Sequence, residues 1–227
     1  MYELYIANKN YSSWSLRPWV LLSELRIPFV EHMVPFGDDA KWDAYRSISP
    51  NGRVPCLIDG ETVVWDSLAI TEYIGERHDA VWPRDRVARA WARSAAAEMH
   101  SGFNELRSRC SMSCGVMIRL NEVPTALVRE VTRLGALWND GLHRFGGPFL
   151  AGNAFTAVDA FFAPVAFRVR SYGLTLDPAA AEYAAHSLNL GSMRDWYAAA
   201  LKEKNRDQQH EDEMLQMGSV LQDLRER

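Results

Sequence analysis

The sequence predicts a small mixed α/β domain followed by an all-helical domain, and three observations predict it. Within the first 80 residues, short β-prone runs and helical periodicities follow one another in the order β-α-β-α-β-β-α. Beyond a linker at 79–84 (DAVWPR), where Pro83 stops continuation, the apolar period is helical almost throughout. The 227 residues are 48% hydrophobic and 24% charged, the make-up of a packed chain with room for one large domain or two modest ones.

The elements follow in order. Residues 3–8 (ELYIAN) alternate as a short strand, and 14–26 (WSLRPWVLLSELR) carry apolar residues at helical spacing, with Pro18 expected in the first turn. Residues 28–34 (PFVEHMV) return to strand character, and a looser helical stretch covers 39–47 before the turn SPNG. VPCLI at 54–58, the hairpin signal Asp59-Gly60 and ETVVW predict two antiparallel strands. Asp66 or Ser67 caps a helix running to about residue 78. A β-α-β unit, a hairpin and a closing helix are the thioredoxin-like order. In the second half, helices are expected at 85–113, 124–145, 157–171, 179–187 and 191–203, with Gly-Gly-Pro at 146–148 as the clearest break. The polar residues 204–227 are expected either to add a short helix through MLQMGSVLQDL or to form a partly ordered tail. The expected domains are thus 1–80 and 85–227.

Charge and cysteine usage exclude several classes. The formal net charge is −4, with 7 Lys/Arg against 12 Asp/Glu in residues 1–80 and 18 against 17 in the remainder. Neither part has the dense basic face that nucleic-acid binding needs. No stretch approaches the roughly 20 apolar residues of a membrane span, and the N-terminus lacks a secretory pattern, so a cytoplasmic location with no membrane partner is expected. Cys56, Cys110 and Cys114 cannot all pair within one chain, and no His or Cys pair completes a tetrahedral set around Cys110 and Cys114. No metal is expected.

Three constellations carry chemistry. Tyr11-Ser12-Ser13-Trp14-Ser15-Leu16-Arg17 spans the junction of the first strand and first helix. A helix N-terminus exposes unpaired N–H groups and partial positive charge, so a serine hydroxyl there can donate to an anion, although it can equally serve as a cap. Arg53-Val54-Pro55 opens the third strand. A cis Val54–Pro55 bond would leave the Val54 N–H and C=O free to pair with a peptide-like ligand, whereas a trans proline would simply mark a turn. Trp65-Asp66-Ser67 runs from a strand end into a helix start, where Ser67 can hold a carboxylate and Asp66 can accept from an ammonium group, or both can act as a cap.

The string SPNGRVPCLIDGETVVWDSLAITEYI resembles the glutathione-binding core of the glutathione transferase superfamily. YSSWSLR looks like a serine-type active-site entry, closest to the zeta and theta classes. The resemblance implies that Ser12 or Ser13 faces the glutathione sulfur, with Ser12 favoured on a zeta-like alignment and Ser13 on a theta-like one. It implies that the Val54 backbone pairs with the cysteinyl moiety before a cis Pro55, and that Asp66 and Ser67 grip the γ-glutamyl group. Arg53 and Trp42 fall near the glycyl carboxylate and the rim. Trp14 occupies the position of the cysteine in the zeta Ser-Ser-Cys motif, which counts against a maleylacetoacetate isomerase assignment. Thr156-Ala-Val-Asp159 has capping-box spacing and reads as structural.

The implied enzyme activates the thiol of glutathione, its cosubstrate, as the thiolate and adds it to a small, electrophilic, largely apolar second substrate in a detoxifying homodimer. A glutathione-dependent isomerase or dehalogenase and a non-catalytic hydrophobic ligand-binding protein are the alternatives. The second-substrate site is expected between the domains, at Trp14 and along the first long helix of the second half, where Met99, Phe103, Arg107 and Met112 share one side, a stripe that equally suits a core. A charge on that stripe needs a partner or a cleft, so Arg107 is expected to face the cleft and favour a polar or anionic group.

Overall fold

The computed structural model describes residues 1–37 and 45–226. Strand β1 (Tyr2–Ile6) alternates buried and partly exposed positions, so Leu4 and Ile6 point into the core. Helix α1 (Ser13–Glu24) buries Leu16, Val20, Leu21 and Leu22. It begins at Ser13, so Pro18 falls in the second turn and not the first, where it has no N–H to offer the Trp14 carbonyl. Strand β2 (Phe29–Met33) lies parallel to β1, and β3 (Cys56–Asp59) lies antiparallel to it on the other side, with Leu4 facing Leu57. Strand β4 (Thr62–Val64) completes the sheet in the order β2-β1-β3-β4. Gly60, at φ +62°, makes the tight turn between β3 and β4. Helix α2 (Ser67–Gly75) then packs Ile70 and Ile74 into the same core. These elements follow the expected thioredoxin-like order; the helix expected at 39–47 lies mostly outside the described residues.

The second half is helical: α3 (Arg86–Ser101), α4 (Asn104–Arg109), α5 (Thr125–Phe145), α6 (Ala157–Tyr172), α7 (Pro178–Leu188), α8 (Gly191–Lys202) and α9 (Gln208–Met217). Helix α6 is its hub, buried along nearly its whole length and packed on α1, α3 and α7. Its contact with α1 joins the two halves into one continuous core. Among the described residues no helix is long and apolar enough to cross a membrane.

Two features differ from the sequence expectation. The helix expected at 85–113 breaks at Gly102, and Phe103 adopts a left-handed φ of 55° before α4 begins. Phe103 is buried in the core, and packing of its ring holds a backbone conformation that its own preference disfavours. The helical half also carries a two-stranded antiparallel ribbon, in which β5 (Val116–Leu120) pairs with β6 (Gly218–Asp223). The segment after 204 is therefore a helix plus a strand, fastened to a segment about a hundred residues earlier.

Candidate active site

The loop between β1 and α1 is held chiefly by the helical half. The Glu203 carboxylate accepts the Lys9 and Asn10 N–H groups at 2.5 and 3.0 Å. The Trp196 indole donates to the Lys9 carbonyl at 2.9 Å, and the Cys114 N–H donates to the Asn10 carbonyl at 3.2 Å. These partners fix where the chain enters α1, and so where Ser12 and Ser13 stand.

Ser12 occupies the N-cap position of α1 but makes no capping hydrogen bond. Its Oγ, only 4% exposed as a residue, donates to Ser15 Oγ at 2.7 Å. Ser15 Oγ in turn accepts the Ala7 N–H at 3.2 Å. Hydroxyl protons rotate, so Ser15 can donate back to Ser12 while still accepting from Ala7, which frees the Ser12 proton for an incoming anion. Ser13 is the first residue of the helix and is partly exposed.

Both serines line a cavity of about 870 Å³, together with Trp14, Gly52, Arg53 and Val54 from the first half. Arg107, Ser108, Ser111, Met112 and Arg168 form the wall from the helical half. The tail closes a third side through Asp207, Gln209, His210 and Glu213. His210 stacks on Tyr11 and on Phe36 at centroid distances of 5.1 and 4.8 Å, and its Nδ1 meets Asp207 at 2.6 Å. Tyr11 lies beside the serines, but its hydroxyl is committed to Glu211 at 2.6 Å, and burial and that carboxylate push its pKa up. With its proton given to Glu211, this hydroxyl is not free to donate to a thiolate.

The Val54–Pro55 peptide is cis, and Val54 makes no backbone hydrogen bond to another described residue. Asp66 caps α2, accepting from the Leu68 and Ala69 N–H groups at 2.9 and 3.4 Å, while its second oxygen meets His100 Nε2 at 3.3 Å. His100, its pKa lowered by burial, lies edge-on to the Trp14 ring. Ser67 is fully buried, and its Oγ has no hydrogen-bond partner among the described residues. An orphaned buried hydroxyl is costly unless something completes it.

The structure thus brings Ser12, Ser13, Trp14, Arg53, Val54 and Arg107 to one cavity. Asp66 and Ser67 stand at the α2 N-terminus, linked to that cavity through His100 and Trp14. Met99 and Phe103 are buried in the core and are not among the cavity-lining residues; on that stripe Arg107 and Met112 reach the cavity, because the break at Gly102 turns the chain. Trp42 lies outside the described residues. Asp159 is buried away from the cavity, where its carboxylate accepts from the Leu150 and Thr156 N–H groups and the Tyr183 hydroxyl. Sequence reasoning missed Arg168 and the tail residues. Arg168 had a signal, being a charge inside the apolar run AFFAPVAFR.

Known proteins resemble this chain across both halves. Residues 11–77 match the family model for the glutathione S-transferase N-terminal domain, and residues 89–187 match that for the C-terminal domain. A glutathione S-transferase-like protein, OpS6 of Beauveria bassiana, is 29% identical over 189 residues, covering 78% of this chain and 83% of that one. A probable maleylacetoacetate isomerase of Caenorhabditis elegans is 25% identical over 186 residues, covering 77% and 82%. Among solved structures, a glutathione transferase homolog from Burkholderia with bound glutathione superposes with a TM-score of 0.65 at 22% identity, covering 88% of this chain and 97% of that one. The chain belongs to the glutathione transferase superfamily. It is an enzyme of that class, a glutathione transferase.

Proposed function

We propose that Ser12 is the thiol-activating residue, that glutathione lies along the first-half wall of the cavity, and that the thiolate attacks an electrophilic carbon of a second substrate. The observation that carries this reading is a buried serine hydroxyl at the mouth of α1, backed by Ser15 and the Ala7 N–H, on a cavity large enough for both substrates. A free thiol with pKa about 8.5 is only a few per cent ionised at pH 7. Lowering it by roughly 2 units takes about 2.7 kcal/mol of preferential stabilisation. One charge-assisted hydrogen bond and the positive end of a helix supply that much. The S–H proton passes to solvent through the cavity mouth. The sulfur lone pair then forms the C–S bond, and a leaving group departs with its electron pair where the electrophile carries one.

The Val54 backbone, which bonds no other described residue, suits pairing with the cysteinyl amide, and the buried Ser67 hydroxyl, without a partner among the described residues, suits a γ-glutamyl carboxylate. Arg53 and Trp42 are assigned to the glycyl end. Each molecule works within a homodimer, which sedimentation tests. The direct test of the serine assignment is turnover of a general electrophile. Ser12→Ala lowers kcat/KM by about 10- to 100-fold with glutathione affinity nearly unchanged, whereas Ser13→Ala has a smaller effect. Full activity in Ser12→Ala would overturn the assignment.

A further inference from the structure

The helical wall of the cavity carries two guanidiniums that form no ion pair with a carboxylate among the described residues. Arg107 on α4 and Arg168 on α6 both line it. Arg168 is 5% exposed and its Nε donates to the Cys110 carbonyl at 2.8 Å. Arg107 Nη1 donates to the carbonyls of His100 and Gly102 at 3.1 and 3.5 Å. Those acceptors are neutral main-chain groups. A third guanidinium, that of Arg17, is packed over the rings of Trp14 and Phe161 at 4.2 and 4.8 Å. Arg17 is 3% exposed, and its Nε and Nη1 have no hydrogen-bond partner among the described residues. The Arg107 guanidinium lies over the same Trp14 ring at 4.4 Å.

These three cations feel one another: burial and the charge of Arg107 push Arg168 down to about 10, and burial, Arg168 and Arg107 push Arg17 down as well. Among the described residues none of the three forms an ion pair, while the carboxylates around them are engaged elsewhere. Glu105 pairs with Arg109 at 2.9 Å, Asp207 with His210 at 2.6 Å and Asp66 with His100 at 3.3 Å. Glu130 accepts the Leu106 N–H and Glu213 accepts from Gln209; Glu130 supports the Arg107 charge, and Asp66 that of Arg17, from a distance without pairing. Burying unpaired charge is expensive, and aromatic stacking offsets only part of the cost. An anion is the component that would complete the cluster.

We propose that Arg107 and Arg168 form a carboxylate-binding subsite for the second substrate, with Arg17 adding its field from beneath Trp14, so that the electrophile this enzyme handles carries a carboxylate. This deepens the functional reading above and rests on it for the placement of glutathione. Both lining arginines come from the helical half, whereas Ser12, Arg53 and Val54 come from the first, and on that ground we give them to the electrophile and not to the tripeptide. Guanidinium is the group whose planar fork matches a carboxylate.

The test is calorimetric titration of the glutathione-saturated protein with a dinitrobenzoate and with its methyl ester. The acid is expected to bind at least about tenfold more tightly than the ester. Arg107→Ala abolishes that difference, Arg107→Lys retains part of it, and neither changes glutathione affinity by more than about twofold, a margin too small to count as a lost charge-assisted bond. The ring-chlorinated acid and ester, each referred to its uncatalysed rate with glutathione, show the same preference in kcat/KM. Equal binding of acid and ester by the unmodified protein overturns the proposal and needs no variant to fold. So does an Arg107→Ala variant that weakens acid and ester alike, or one that weakens glutathione itself, which would give the arginines to the tripeptide. An inert Ser12→Ala substitution would overturn the serine assignment while leaving the acid preference in binding standing, so the two failures are distinguishable.

Discussion

Removing the Asp159 carboxylate tests how the helical half is held together. Asp159 is 2% exposed at the start of α6 and accepts from Leu150 N at 3.0 Å, Thr156 N at 2.9 Å and Tyr183 Oη at 3.0 Å. Asp159→Ala leaves these three buried donors without an acceptor and removes a longer contact of the Thr156 hydroxyl at 3.3 Å, at about 1–3 kcal/mol per lost acceptor and not fully additive. The expected cost is about 3–5 kcal/mol, against the roughly 5–15 kcal/mol that holds a typical domain. The carboxyl also makes stability depend on pH. Burial outweighs its hydrogen bonds and raises its pKa from 3.8 to about 6. The folded state therefore binds this proton more tightly than the unfolded chain does. The contribution is fully present below pH about 4, is lost as pH rises through about 6, and is worth about 3 kcal/mol across that window. Urea unfolding followed by circular dichroism at pH 4, 5, 6 and 7 measures both effects. The stability difference between the parent protein and Asp159→Asn should shift in that direction over the window, because the amide does not titrate. An Asp159→Ala midpoint within error of the parent, or a difference that is flat in pH, would refute the account of this carboxylate.

Three further outcomes follow from the site. Ser15→Ala removes the group standing between Ala7 N–H and Ser12, and should lower kcat/KM by about three- to tenfold while leaving glutathione affinity alone; an unchanged rate would show that Ser12 acts without backing. Arg225, which ties Glu211, Asp223 and the Tyr11 hydroxyl together, fastens the tail to the cavity, so Arg225→Ala should speed amide exchange in 208–217 by at least about tenfold, and unaltered protection would contradict that role. Cys56, Cys110 and Cys114 are all buried, with Cys110 and Cys114 pushed up to about 12 by burial, so a maleimide should leave the native protein unlabelled at pH 7.5 and modify three thiols once it is unfolded. Rapid labelling of the folded protein would reopen chemistry through a protein thiol.

Much of the fold was legible because its signals are local. The alternation in β1, the Asp59-Gly60 turn, the Asp66 cap and the Thr156–Asp159 spacing each lie within a few residues of what they specify. What was not legible depends on distant partners. The pairing of Val116–Leu120 with Gly218–Asp223 joins segments about a hundred residues apart, and neither shows its partner in its own period. The left-handed turn at Phe103 is set by burial of its ring, so an unbroken helix to 113 was the natural reading of that periodicity. The same holds for the site. Ser12, Ser13, Val54 and Arg107 fall on motifs or on a charged break in an apolar stripe, and all four line the cavity. Arg168 sits on an equally anomalous stripe, but only packing of α6 against the cavity shows where it faces. His210 and Asp207 lie in a polar tail whose composition says nothing of the Tyr11 and Phe36 rings it meets.

The decisive measurement is the ionisation of the bound cosubstrate, read as the ultraviolet absorbance of the glutathione thiolate on the saturated protein as pH is varied. The hydroxyl at the head of α1 should bring that thiol down by about 2 units from its free value of roughly 8.5, and Ser12→Ala should return most of the shift. A bound thiol that titrates as it does in water, or a lowered value untouched by the substitution, would contradict it.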